Sequence, residues 1–268
     1  MASFSQDNPQ LAATYDRLSD SQFEAGKALL GRLELKAGER VLDVGCGTGR
    51  LAAWAAERVG AEGSVVGIDP LADRIALAKN NYPQLRFEVA QAENLSLFDD
   101  HSFDLVCLAA VFHWIAEKPK AFAEIARVLK KGGRMGLTTM PKELHRAGTI
   151  AKTCGTFFGR AQWAEKSSLE AFSSVHQSLS ITELVEMTIA SGLELEGLHV
   201  VRRTHSFQSG LDVVDHVESS SFGNFLGRIP EAHRETLRQN LAKEFESKRG
   251  TNGIEIRMYG MMLLASRT

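Results

Sequence analysis

The chain has 268 residues, 44% of them hydrophobic and 24% charged, with a formal net charge of −2. That length supports a core needing neither disulfides nor a structural metal, and the near-neutral charge argues against a nucleic-acid partner held mainly by electrostatics. Cys46, Cys107 and Cys154 are too few and too far apart for a disulfide framework, and the eight histidines lack zinc-ligand spacing, so no metal is expected.

The opening residues, MASFSQDNPQLAATYDRL, lack a cationic head followed by an apolar stretch. No window approaches ~18 uninterrupted apolar residues. The expectation is a cytoplasmic protein without a membrane span.

Between Glu39 and Met140, short apolar runs alternate with amphipathic stretches. RVLDV (Arg40–Val44) has the composition of a buried strand. GRLAAWAAERVG then places Leu51, Ala55 and Val59 on one helical face, with Gly60 as a C-cap. SVVGID (Ser64–Asp69) predicts the next strand and LADRIALAKNN, opened by Pro70, the next helix. LRFEVA (Leu85–Ala90) and SFDLVCLAA (Ser102–Ala110) predict two more strands. PKAFAEIARVLKKGG puts Phe122, Ile125, Ala126 and Leu129 on one face, ends at Gly132-Gly133 and precedes a fifth strand, RMGLTTM. The cluster Arg127, Lys130, Lys131 and Arg134 reads as a helix C-terminus complementing its dipole. Strands alternating with helices imply βαβ units and a parallel sheet.

The second half is less regular. SITELVEMTIASG (Ser180–Gly192) reads as a helix followed by strand-like LELEGLHVV. IEIRMYGMMLLAS (Ile254–Ser266) alternates as a strand does. Between them, Pro141–Leu179 and Phe207–Thr251 read as helical insertions. Their aromatics, among them Phe157, Phe158, Trp163, Phe172, Phe222 and Phe225, suit either a small lid core or the walls of an apolar acceptor pocket.

The expected class is α/β, a parallel sheet built from these βαβ units. Its expected segments are a cofactor-binding core over 1–140, a first insertion over 141–179, and a helix and strand over 180–206. A second insertion over 207–251 and the last core strand over 252–268 complete the division.

The first strand ends in an acid and then in glycines at every second position, Gly45-Cys46-Gly47-Thr48-Gly49. In open parallel sheets, ligands bind beyond the carboxyl ends of the strands. Glycine permits a positive φ and close backbone approach, and the following helix offers unpaired N–H groups. Dinucleotide binders space these glycines as G-x-G-x-x-G. Here the spacing differs, and Asp43, two residues before Gly45, would repel a pyrophosphate but attract an ammonium group. Asp69 ends the second strand about 20 residues on, where an acid accepts hydrogen bonds from ribose hydroxyls. An ammonium at one acid and a ribose at the other describe S-adenosylmethionine.

VLDVGCGTGRLA, VVGIDP, AQAENLSLFDDHSFDLVCLAAVFHWI and RVLKKGGR, in that order, resemble the class I S-adenosylmethionine-dependent methyltransferases. The likeness is to the small-molecule group that includes trans-aconitate, malonyl-carrier and quinone C-methyltransferases, and it covers Tyr15–Met140. It implies a Rossmann-like, doubly wound α/β sheet of seven strands, parallel but for one antiparallel C-terminal strand, with helical lid insertions. Gly45, Cys46, Gly47 and Gly49 would line the cofactor's amino-acid and sulfonium end, with Asp43 nearby. It also implies that Asp69 binds the ribose and that Pro70, Gln91, Ala92 and Glu93 surround the adenine. Ala109 and Ala110 would pass under the methionine portion, and Tyr15 would close over the cofactor from a leading helix. The chain departs from relatives at Gln91, where Asp is usual, and at Ala109, where Asn or Ser is frequent.

The methyl acceptor should approach near FHWI (Phe112–Ile115). His113 there reads either as a general base, its ordinary pKa lying near neutrality, or as a structural residue of the turn. Nucleic-acid amino-methyltransferases carry Asn/Asp-Pro-Pro-aromatic after the fourth strand, whereas this chain has AAVFHW and no Pro-Pro. The expected partner is therefore a small-molecule acceptor, with a homodimer left open. The alternatives are a non-catalytic S-adenosylmethionine-binding module, an arsenite methyltransferase using the cysteines, and a nicotinamide oxidoreductase.

Overall fold

The computed structural model describes residues 16, 19–147, 149–160, 179–219 and 231–268. Helix α1 (Asp20–Arg32) precedes β1 (Arg40–Val44), α2 (Arg50–Val59), β2 (Ser64–Asp69), α3 (Ala72–Asn81) and β3 (Arg86–Val89). Then follow β4 (Phe103–Leu108), a 3-10 turn (Phe112–Trp114), α4 (Lys118–Val128) and β5 (Leu129–Thr139). Helices α5 (Lys142–Ala147), α6 (Thr149–Arg160) and α7 (Ile181–Ala190) lead to β6 (Glu194–Phe207). Helices α8 (Gly210–Ser219) and α9 (Glu231–Glu246) precede β7 (Ile254–Ser266).

The strands make one sheet of seven in the order β3-β2-β1-β4-β5-β7-β6. β1 pairs in parallel with β2 and β4, β2 with β3, and β4 with β5, while β7 runs antiparallel to β5. Strand order reverses at β1, so the carboxyl ends of β1 and β4 flank the switch point where open α/β sheets bind ligands. The parallel strands are those expected from the alternating pattern, and the doubly wound order is the one implied by the family resemblance.

Sequence spacing explains how these elements bury. In α2, Leu51, Ala52, Ala55 and Val59 fall on one stripe and are buried. In α4, Ala121, Phe122, Ile125 and Val128 are all fully buried. Helix α7 starts with a reciprocal capping box: Glu183 N–H donates to Ser180 Oγ at 3.1 Å, and Ser180 N–H to Glu183 Oε2 at 2.6 Å.

One expectation fails. Helix α4 ends at Val128, not at Gly132-Gly133, and KKGG lies inside β5. Pairing with β4 jumps from Phe103↔Leu129 to Leu105↔Arg134, so these residues form a bulge. Lys130 and Arg134 therefore do not complement a helix dipole. Lys130 Nζ bonds Asp104 at 2.7 Å, and Arg134 bonds Glu39 Oε1 at 2.8 Å and the Leu33 carbonyl at 2.8 Å.

The chain divides into two compact units, one of residues 1–139, 179–199 and 261–268, the other of residues 140–178 and 200–260. The divisions at 199/200 and 260/261 fall within β6 and β7. The second unit has a core of its own, in which Cys154, Val213, Val214, Leu237, Leu241, Phe245, Ile254 and Ile256 are buried. Phe157 packs against that core, so this aromatic serves the unit's own packing. Trp163, Phe172, Phe222 and Phe225 lie outside the described residues. No helix among the described residues is long and apolar enough to cross a membrane.

Candidate active site

Asp43 is the next-to-last residue of β1, in register with Gly67 of β2 and Cys107 of β4. A central strand leaves its side chain nowhere to reach water, and Asp43 is 2% exposed. Cys107 Sγ donates to its Oδ1 at 3.6 Å, whereas Oδ2 is buried without a hydrogen-bond partner. Burial raises the Asp43 pKa from 3.8 to about 7; the thiol hydrogen bond lowers it and neighbouring Asp69 raises it further. A buried acceptor left open carries a large desolvation penalty. An ammonium group would remove that penalty, so the residue fits the amino-acid end of S-adenosylmethionine.

The glycine loop is tied to β2. Gly45 and Cys46 donate to the Ile68 carbonyl at 2.7 and 2.9 Å, and Gly49 N–H closes back on Cys46 at 3.0 Å. Gly45 has φ 74° and Gly49 φ 86°, a region that side chains other than glycine disfavour. A Cβ on Gly45 would also lie 2.2 Å from a Val111 methyl, and one on Gly49 2.7 Å from the Phe87 ring. The space beside these two glycines is thus filled by protein side chains. Their need for glycine comes from turn conformation and packing.

Asp69 is 5% exposed and accepts two backbone hydrogen bonds. Gly47 N–H donates to Oδ2 and Leu71 N–H to Oδ1, each at 3.0 Å. The carboxylate therefore joins the glycine loop to the start of α3. Each oxygen retains a second lone pair, so ribose hydroxyls can still be accepted. Pro70 is half-buried beside it.

After β3, Ala92 is buried, Gln91 exposed and Glu93 half-buried. Glu93 Oε1 accepts from Ala116 N–H at 3.0 Å and Glu117 N–H at 3.3 Å. This carboxylate props the start of α4 in addition to any role at the adenine. Below it, Lys118 is buried, its ammonium donating to the Ile115 carbonyl. Burial lowers the Lys118 pKa to about 8 against the opposing charge of Glu93.

On the acceptor side, Ala109 and Ala110 are half-buried and Ala110 is left-handed, with φ 58°. Non-glycine residues rarely adopt this conformation, and such outliers gather at functional sites. Ala110 N–H donates to Thr138 Oγ1 at 2.7 Å. His113 is half-buried in the 3-10 turn, its ring 4.7 Å from that of Trp114. Phe112 beneath is buried edge-on to Phe122.

Tyr15 lies outside the described residues. Its neighbour Asp16 accepts a hydrogen bond from Thr48 Oγ1 in the glycine loop and, through its carbonyl, one from Arg50 at 2.9 Å. The leading segment thus meets the loop at Asp16. Thr48, Arg50 and Thr138 were given no role from sequence, and Cys107 was read only as one of three scattered cysteines. The pair of threonines closing the strand beside β4 was the available signal for Thr138.

All three cysteines are buried thiols. Burial and Asp43 push Cys46 and Cys107 well above the usual thiol range, and burial pushes Cys154 up to about 12. Protonated thiols of this kind are poor ligands for a metalloid.

Residues 42–137 match a family model described as a methyltransferase domain. An uncharacterized methyltransferase of Mycobacterium tuberculosis strain H37Rv is 37% identical over 124 residues, 46% of this chain and 48% of that protein. The aklanonic acid methyltransferase of Streptomyces sp. strain C5 is 36% identical over 147 residues, 53% of this chain and 65% of that protein. The chain spans about half the length of the first curated relatives it matches. Among solved structures, the geranyl diphosphate C-methyltransferase of Streptomyces coelicolor, in complex with Mg2+, geranyl diphosphate and S-adenosyl-L-homocysteine, aligns with a TM-score of 0.56 at 16% identity. The alignment covers 96% of this chain and 82% of that one, and shows a shared fold.

Proposed function

We propose that this chain transfers the methyl group of S-adenosylmethionine to a small organic molecule; the match of residues 42–137 to a methyltransferase domain model and the doubly wound strand order support this reading. The observation that carries the reading is the buried Asp43 carboxylate two residues before the glycine loop, one oxygen held by Cys107 and the other without a hydrogen-bond partner. A pyrophosphate would meet repulsion there, which counts against a nicotinamide cofactor. The protonated thiols count against the arsenite reading. The likeness to a methyltransferase named for aklanonic acid supports a small organic acceptor.

S-adenosylmethionine, when bound, supplies a methyl group on a positively charged sulfur. The chain's residues then bind, orient and exclude water. Asp43 takes the ammonium and Asp69 the ribose hydroxyls. Pro70, Gln91, Ala92 and Glu93 bound the adenine. Gly45, Cys46, Gly47, Gly49, Ala109 and Ala110 present backbone along the methionine portion. Holding acceptor and methyl donor in near-attack geometry lowers such a barrier by about 7–11 kcal/mol. His113, beyond β4, takes a proton from the acceptor where the acceptor carries one.

Titration calorimetry with S-adenosylmethionine, S-adenosylhomocysteine and NAD tests the cofactor. Binding of the first two and not the third supports the reading, and the reverse overturns it. Screening a metabolite extract for labelled methyl incorporation then separates an enzyme from a non-catalytic binding module. With an acceptor in hand, His113→Ala is expected to slow turnover by about 10²-fold or more at unchanged cofactor affinity. Turnover at the parent rate would make His113 a structural residue of the turn.

A further inference from the structure

We propose that Thr138 is a positioning residue for the cofactor's methionine portion, its hydroxyl holding the turn after β4 in a backbone conformation that alanine resists. The inference rests on the reading that Ala109 and Ala110 run beneath that portion of the cofactor.

The sheet itself brings the two groups together. Leu108 of β4 is in register with Leu137 of β5, so Thr138 stands one residue further on, where the chain of β4 leaves the sheet. Thr138 is held from its other side by pairing with Met262 of β7. A β-branched side chain fixed in this way has few rotamers, and its Oγ1 meets the Ala110 N–H at 2.7 Å. Ala110 carries φ 58°, so the hydrogen bond opposes a backbone that would otherwise relax.

What the turn holds is the glycine loop. Val111, the next residue, occupies the space beside Gly45, with three of its side-chain carbons within 2.9 Å of where a Cβ would stand. Gly45 opens the loop whose Gly47 N–H bonds Asp69. Displacement of Ala110 moves Val111, and Val111 bears on the loop between the two acids. Thr138 thus acts at one remove, through Ala110 and Val111, without touching the cofactor.

The test uses the full chain and S-adenosylhomocysteine, so no acceptor is needed. Calorimetric titration compares the parent chain with T138V, T138S, A110G and T138V/A110G, with unfolding midpoints measured alongside. T138V keeps the shape and loses the acceptor oxygen, and should weaken binding by about tenfold. T138S should bind within about twofold of the parent, because it keeps the hydroxyl. A110G serves only as a reference background, in which no clamp is needed, so the step from A110G to T138V/A110G should cost less than about twofold, a coupling that general loss of packing would not show. T138V binding like the parent, or T138V costing the same tenfold in the A110G background, overturns the proposal. If T138V does not fold, T138S decides: near-parent affinity supports the clamp and a tenfold loss overturns it. Failure of the parent itself to bind overturns the proposed function instead.

Discussion

In the first unit, Asp43, Asp69, Arg74 and Lys118 are all buried side chains that carry charge in water. In the second, among the described residues, the buried side chains include those of Cys154, Val213, Val214, Leu237, Leu241, Ala242, Phe245, Ile254 and Ile256, and Thr153 is the one buried polar side chain. The second pattern is what packing alone selects. The first costs free energy unless a ligand or a neighbour satisfies the buried groups. Asp69 is satisfied by the backbone of two loops. Asp43 is satisfied at one oxygen only. The contrast makes the ends of β1 and β2 in the first unit the place where a ligand would relieve a buried charge, as proposed above, whereas the buried side chains of the second unit serve its own core.

That contrast can be broken by showing that both cores serve the same end. Phe245→Ala, which removes a fully buried ring from the second core, should lower unfolding free energy by about 3–5 kcal/mol. Titration of the folded variant should find cofactor affinity within twofold of the parent. A parallel loss of affinity would erase the distinction between the units.

Asp43→Asn should act in the opposite sense. The raised pKa means that the folded chain holds an extra proton between about pH 4 and pH 7. Parent stability therefore falls as pH rises through that window, by up to about 4 kcal/mol, and stays low above it. The asparagine variant lacks this loss, so without cofactor it should be more resistant to denaturant than the parent at pH 8, with the advantage absent at pH 4. Equal stability at both pH values would mean that Asp43 carries no buried penalty.

Asp69→Ala should give the smallest effect, a loss of about 1–3 kcal/mol in cofactor binding measured by calorimetry. Unchanged affinity would confine Asp69 to bracing the glycine loop.

The strands that carry these acids were legible because burial on both faces makes a continuous apolar run. RVLDV and SVVGID correspond residue for residue to β1 and β2. β7 was legible as a strand from its alternation, since Ile254 and Ile256 are buried and Glu255 and Arg257 exposed, while its antiparallel direction followed only from the family resemblance. KKGG was misread because two glycines after a helical stripe resemble a helix end, and only pairing with β4 reveals the bulge. In the site, the paired acids and glycines were visible because they sit within one βαβ unit. The hydrogen bonds from Thr48 to Asp16 and from Ala110 to Thr138 join residues 32 and 28 positions apart, and local pattern does not encode such separations. Cys107 was visible as a strand residue but not as the donor to Asp43, because that depends on which strand becomes the neighbour.

The most direct test of Asp43 as the counter-charge for the cofactor is calorimetry of S-adenosylmethionine binding across pH 6 to 8 in buffers of different ionisation enthalpy. For the parent chain, affinity should rise with pH and level off above about pH 7, with a proton released on binding at the acid end, as Asp43 ionises against the ammonium. Asp43→Asn should bind more weakly and release no such proton. Parent binding that releases no proton, or an asparagine variant that binds as tightly as the parent throughout, would contradict the account.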